Sequence, residues 1–120
     1  MDSGLGIGIV AQTFMQHGIL TSVVEIDPAV YSAARDYFGL PKPYAVYLED
    51  ARRWVSRSAD QGTDTYDIIV HDCFSGGGVP AHLFTTEFWE NLKRILDPEG
   101  IVAVVSILTF LSLVYIFDHT

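Results

Sequence analysis

Residues 19–38 read ILTSVVEIDPAVYSAARDYF, and the change of period inside them decides the fold. Ile19 to Ile26 has the β-branched density of a strand buried on both faces, and it closes on acids at Glu25 and Asp27. Asp27-Pro28 then starts a helix, with Asp27 as N-cap and Pro28 at the first helical position, where its missing N–H costs nothing. The helix is expected to reach Tyr37 or Phe38, ahead of Gly39 and Pro41. A buried strand that runs straight into a helix is one unit of a parallel sheet, because parallel strands need long crossovers and helices usually supply them.

The same punctuation repeats on either side. Upstream, Ile7 to Gln16 carries apolar residues at helical spacing and stops at Gly18. Downstream, Tyr44 to Leu48 is a short strand, and Asp50 caps a helix through Ala51, Trp54 and Val55. Ser56 to Thr65, SRSADQGTDT, reads as a polar loop. Tyr66 to Val70 is a strand running into His71-Asp72, and a glycine-rich loop follows from Ser75 to His82. Thr85 to Leu96 is a helix, Asp97-Pro98-Glu99-Gly100 a turn, and Ile101 to Val105 a strand. The expected fold is therefore α/β, a Rossmann-like three-layer sandwich with a parallel sheet. Met1-Asp2-Ser3 stands where β-branched residues would be expected, so the sheet is expected to lack its first strand, and likewise its last ones. We expect one partial domain over residues 1–105 and an apolar tail of uncertain origin over 106–120.

Bulk properties narrow the function. With 49% hydrophobic and 18% charged residues in 120, the chain is globular and large enough for one core. The net charge of −8, with the few basic residues scattered, argues against nucleic acid and favours a cationic substrate. A single cysteine, Cys73, excludes an internal disulfide, and the four histidines show no metal-ligand spacing, so no metal is expected. No secretory signal is legible, and the expected compartment is the cytoplasm. Ile101 to Phe117 is seventeen residues without a charge, at the short limit of a membrane span. It reads as a membrane anchor, a buried strand running on, or foreign sequence such as a read-through intron.

Chemistry should gather where the strands end, since ligands of open α/β sheets bind beyond the carboxyl ends. Four features fall there: the glycines Gly4, Gly6 and Gly8; Glu25 with Asp27; Glu49 with Asp50; and Asp72. Glycines let the backbone approach a ligand at a helix N-terminus, where free N–H groups favour an anionic group. Glu25 can accept hydrogen bonds from both ribose hydroxyls, and a carboxylate ending an apolar strand is costly unless something uses it. Asp27 and Asp50 are also explained by capping alone. Gly6-Ile-Gly8-Ile-Val-Ala11 fits the GxGxxA dinucleotide fingerprint, so NAD stays open on this stretch.

Taken together, Asp2-x-Gly4-x-Gly6-x-Gly8, Glu25-Ile26-Asp27-Pro28, Glu49-Asp50-Ala51 and Tyr66-Asp67-Ile68-Ile69-Val70-His71-Asp72 resemble the successive motifs of the class I S-adenosylmethionine-dependent transferases. Within them, Asp72 to Phe88, DCFSGGGVPAHLFTTEF, is most similar to the spermidine synthase-like branch. The resemblance implies S-adenosylmethionine or its decarboxylated form as cofactor. It implies Gly4, Gly6 and Gly8 along the aminoacyl or aminopropyl part, Glu25 on the ribose, and Asp50 with the Ala51 N–H on the adenine. Asp72 takes the place of the catalytic acid beside the sulfonium and the incoming amine. Ser75 stands where spermidine synthases proper carry a second Asp. The implied activity is aminopropyl transfer to a small amine, with methyl transfer as one alternative and an inactive, cofactor-binding module as another.

Overall fold

The computed structural model describes residues 2–3, 8–62, 64–71, 85–108 and 111–118. Along them run β1 (Asp2–Ser3), α1 (Ile9–Gln16), β2 (Ser22–Val24), α2 (Pro28–Tyr37), β3 (Ala45–Tyr47), α3 (Ala51–Gln61), β4 (Tyr66–His71), α4 (Thr86–Ile95), β5 (Leu96–Leu108) and β6 (Leu111–Asp118). The strands form one sheet in the order β3-β2-β1-β4-β5-β6, parallel except for the antiparallel pair of β5 and β6. The Rossmann-like sandwich expected from the alternation is the fold that forms.

Neighbouring residues of one strand serve opposite layers, as the alternation of side chains along a strand requires. Val23 packs with Ala11 of α1 and with Ala34 and Leu40 at α2. Val24 joins Trp54, Val55 and Ala59 of α3, Ile69 of β4, Phe88, Leu92 and Ile95 of α4, and Val102 and Val104 of β5. Tyr47, Trp54 and Tyr66 lie ring against ring beneath α3, with centroids 5.1 and 5.9 Å apart. The second layer is the larger, and the aromatic residues Trp54 and Phe88 are buried in it.

Several boundaries move for physical reasons. The strand expected over Ile19 to Ile26 shrinks to Ser22–Val24. Ahead of it, the Thr21 hydroxyl bonds back to the Ile19 carbonyl at 2.9 Å, and Ile19 and Leu20 are exposed. The polar loop expected over Ser56 to Thr65 is mostly helix: α3 runs to Gln61, because Ala51, Trp54, Val55 and Ala59 form one buried stripe. It closes at Gly62, whose N–H bonds the Ser58 carbonyl at 3.0 Å. The turn expected at Asp97 to Gly100 is absorbed into β5 as a bulge. Tyr66 pairs with Leu96 and Ile68 with Ile101, so β5 spends extra residues opposite Asp67. A Cβ on Gly100 would stand 2.9 Å from the Asp97 carbonyl oxygen and 3.0 Å from that of Asp67, so glycine is required there.

The ends of the sheet also differ from expectation. The first strand, expected to be lacking, is present as two residues: Asp2 pairs with Val23 and Val70, and Ser3 with Val24 and His71. At the other end β5 continues past Val105 to Leu108, and β6 returns beside it from Leu108↔Leu111 to Ile101↔Asp118. Backbone pairing satisfies this apolar stretch as two strands. Among the described residues no helix is long and apolar enough to cross a membrane.

Candidate functional site

Register brings the strand ends to one level. Ser3 aligns with Val24 and His71, and Val24 with Tyr47, so β1, β2, β3 and β4 finish on the same edge. From β1 the chain works outward through β2 to β3, then returns to β4 on the other side of β1. That reversal opens a crevice at the carboxyl edge between β1 and β4, the place where sheets of this kind bind ligands. The N-termini of α1, α2 and α3 follow the ends of β1, β2 and β3 and bring their N–H groups to the same edge.

The three N-termini are not alike. The Asp27 carboxylate accepts from Ala29 N at 2.9 Å and caps α2, and that of Asp50 accepts from Arg52 N at 3.0 Å and caps α3. At α1 the cap is Gly8, buried and at φ 86°, and it offers no side chain to the first turn. That left-handed backbone favours glycine. Gly8 therefore has no side chain to accept from the opening N–H groups of α1.

Glu25 is the buried acid of this edge, 8% exposed. Its Oε2 accepts from Asp27 N at 3.2 Å, and its own N–H donates to the Tyr47 carbonyl at 3.0 Å, which pins it between β2 and β3. Ala51 opens α3 with an N–H that has no intrahelical acceptor. Of the residues expected at the site, Gly8, Glu25, Asp50 and Ala51 are thus brought to one edge. Gly4, Gly6, Asp72 and Ser75 lie outside the described residues.

Sequence reading missed two apolar residues here. Ile26 is 64% exposed and Leu48 45%, and they follow the ends of neighbouring strands. Aliphatic surface beside a buried carboxylate suits a flat apolar base attached to a ribose. Glu49, next along, is bound by Arg57 through both terminal nitrogens of its guanidinium, a contact that raises the Arg57 pKa above its ordinary value. His71 ends β4 fully buried, its ring 5.0 Å from Phe88 and 6.0 Å from Trp89, so it packs under the edge. Among the described residues no group of three His, Cys, Asp or Glu is placed to hold a metal.

A family model described as the spermine/spermidine synthase domain matches residues 4–119. The chain belongs to that family. As a spermine/spermidine synthase domain it is 45% identical over 102 residues to the N-terminal histidine N-methyltransferase of Emericella nidulans, which covers 84% of this chain and 18% of that protein. It is 37% identical over 82 residues to the polyamine aminopropyltransferase of Vibrio vulnificus, covering 67% of this chain and 27% of that one. Human methyltransferase-like protein 13, solved in complex with SAH, superposes with a TM-score of 0.82 at 26% identity, over 91% of this chain and 54% of that one. The spermine/spermidine synthase domain thus spans well under a third of the length of either curated relative, on the Rossmann-like fold of S-adenosylmethionine methyltransferases.

Asp50 lets capping and ligand binding be separated within this domain. Asp50→Ala is expected to lower stability by about 1 kcal/mol through loss of the α3 cap, whereas Asp50→Asn keeps it. Urea unfolding of the two variants checks the cap. An equal loss of nucleotide affinity in both, by calorimetry, assigns the carboxylate to a ligand as well.

Proposed function

We propose that this chain binds S-adenosylmethionine or its decarboxylated form along the carboxyl edge and passes the alkyl group on the sulfonium sulfur to an amine. In the leading reading that group is aminopropyl and the chemistry is of the polyamine-biosynthesis type, with the cytoplasmic location expected from sequence. The observation that carries the reading is Glu25, a buried carboxylate at the end of β2, on the same edge as an α1 N-terminus whose cap, Gly8, has no side chain. The fit is chemical: Glu25 accepts from the ribose hydroxyls, Ile26 and Leu48 supply apolar surface for the base, and the Ala51 N–H and Asp50 meet its polar edge. The first turn of α1, with Gly4, Gly6 and Gly8, faces the amino-acid part.

The sulfonium supplies an activated leaving group, so in the transfer a C–N bond forms as a C–S bond breaks and a neutral thioether departs. The chain's task is to align the amine and keep it unprotonated, and orientation of this kind supplies several kcal/mol of barrier lowering. Asp72, which follows the last residue of β4, holds the amine as an anion and takes or relays its proton. The acids Glu25, Asp27 and Asp50 add negative potential along an edge that must attract a cation.

Methyl transfer is the second reading, favoured by the 45% identity to a protein named as an N-terminal histidine N-methyltransferase. Ser75 in place of a second Asp also weakens the case for a diamine acceptor. Calorimetry with S-adenosylmethionine, its decarboxylated form, methylthioadenosine and NAD tests the proposal. We expect binding of sulfonium nucleotides and none of NAD, with Asp72→Asn losing turnover but not binding. No heat with any of the sulfonium nucleotides overturns the proposal in favour of an inactive module.

A further inference from the structure

Among the described acids that follow the strands, Glu25, Asp27 and Asp50 each hold a helix entry in place, and Glu49 does not. The proposed chemistry gives Glu49 no task either. It stands in a short connection: between Tyr47, which ends β3, and Ala51, which opens α3, lie residues 48–50 alone. Its two neighbours there, Leu48 and Asp50, are the residues proposed to meet the base.

The Glu49 carboxylate is held from α3. Arg57 Nη1 donates to its Oε2 at 2.9 Å, and Arg57 Nη2 donates to its Oε1. Two parallel bonds of this kind fix the orientation of a carboxylate as well as its distance. Arg57 lies about 9 Å along the helix from Ala51, at about 1.5 Å per residue, so the Glu49 side chain is drawn away from the edge and down α3. Elsewhere among the described residues, ion pairs join Arg35 to its neighbour Asp36, or α3 to α4 through Arg52 with Glu87 and Arg94 with Asp60. The Arg57 pair differs in tying a connection at the carboxyl edge to a helix.

Held in this way, Glu49 fixes the chain on one side of Leu48. Tyr47 fixes it on the other, with its ring 5.1 Å from Trp54 and its carbonyl accepting from Glu25 N at 3.0 Å. Beyond Glu49, the Asp50 carboxylate caps α3 and its carbonyl accepts from Trp54 N at 3.0 Å. Leu48, 45% exposed, thus stands on a backbone anchored on both sides. Surface that is already ordered costs a ligand nothing to order on binding. Fold stability does not account for the clamp, because the Arg57 and Glu49 side chains are 48% and 28% exposed and such pairs contribute little.

We propose that Glu49 and Arg57 act together as a positioning pair, holding the 48–50 connection in the shape that presents Leu48, Asp50 and the Ala51 N–H to the base of the bound nucleotide. Neither touches the ligand. The proposal rests on the reading of the carboxyl edge as the nucleotide site, and it names what shapes the base end of that site.

The test measures affinity for S-adenosylmethionine and for methylthioadenosine, by calorimetry, on the full chain, on Arg57→Met, on Glu49→Gln and on the double variant E49Q/R57M. Methionine is a good helix former, so α3 is retained, and melting followed by circular dichroism verifies it. Each single variant is expected to lose roughly fivefold to tenfold in affinity, the size set by ordering a few side chains on binding. The loss is equal for the two nucleotides, because both carry the base, and the melting temperature stays within a few degrees of the parent's. The double variant is expected to lose no more than either single one, since residues that act as a unit are not additive. Multiplied losses in the double variant, a loss confined to S-adenosylmethionine, or a melting temperature that falls in step with affinity overturns the positioning pair. Equal binding by parent and variants removes the pair and leaves the nucleotide reading standing, whereas a parent that binds neither nucleotide overturns both.

Discussion

Glu25→Gln is expected to lower affinity for S-adenosylmethionine by about thirtyfold to a hundredfold while leaving the fold in place. Hydrogen bonds to a charged group contribute about 1.5–3 kcal/mol each, and about 1.4 kcal/mol is tenfold in affinity, so loss of the charge on an acceptor serving two ribose hydroxyls has this size. The substituted amide keeps an oxygen that can still accept from Asp27 N, so the entry to α2 survives. Calorimetry gives the affinity and thermal melting the fold. A variant that binds as tightly as the parent removes Glu25 from the site and takes the proposed function with it.

Phe88→Ala is the substitution expected to damage the fold most. The side chain is 2% exposed and packs in the layer that joins Ile69, Leu92 and Val102, with its ring 5.0 Å from His71 and 5.6 Å from Trp89. Truncating a buried Phe costs about 3–5 kcal/mol, a large part of the 5–15 kcal/mol by which a domain is stable. For a chain of this length that corresponds to a fall in Tm of roughly 10–25 °C. A thermal melt by circular dichroism reads it directly, and a fall of only a few degrees would show that the site collapses around the missing ring.

What could be read from sequence was what local chemistry decides. The caps at Asp27 and Asp50 were legible because capping needs only the residue and the N–H groups just after it, and both caps form. Glu25 was legible because burying a carboxylate is costly without a use. Tertiary packing hid the rest. The second half of α3 looks like a loop by composition, and Ala59 declares itself only by the core it faces. Ile19 and Leu20 look like strand, yet the Thr21 carbonyl accepts from Tyr44 N, so the pairing of β2 with β3 begins only beyond them. Ile26 and Leu48 read as ordinary apolar strand residues, and exposure, which sequence does not carry, is what sets them apart.

The two-residue β1 has a consequence for cooperativity. Among the described residues it is the backbone seam between β3-β2 on one side and β4-β5-β6 on the other, and it offers two paired positions to each neighbour. On one face, Val23 is the one strand residue, among those described, in the core cluster of α1 and α2. On the other, α3 touches both Val24 of β2 and Ile69 of β4 through a single core. The two halves therefore unfold as one unit to the extent that α3 holds them together. Under the proposed function, a cofactor seated against Glu25 and the first turn of α1 binds only the folded state, so adding it is expected to raise the melting temperature by mass action.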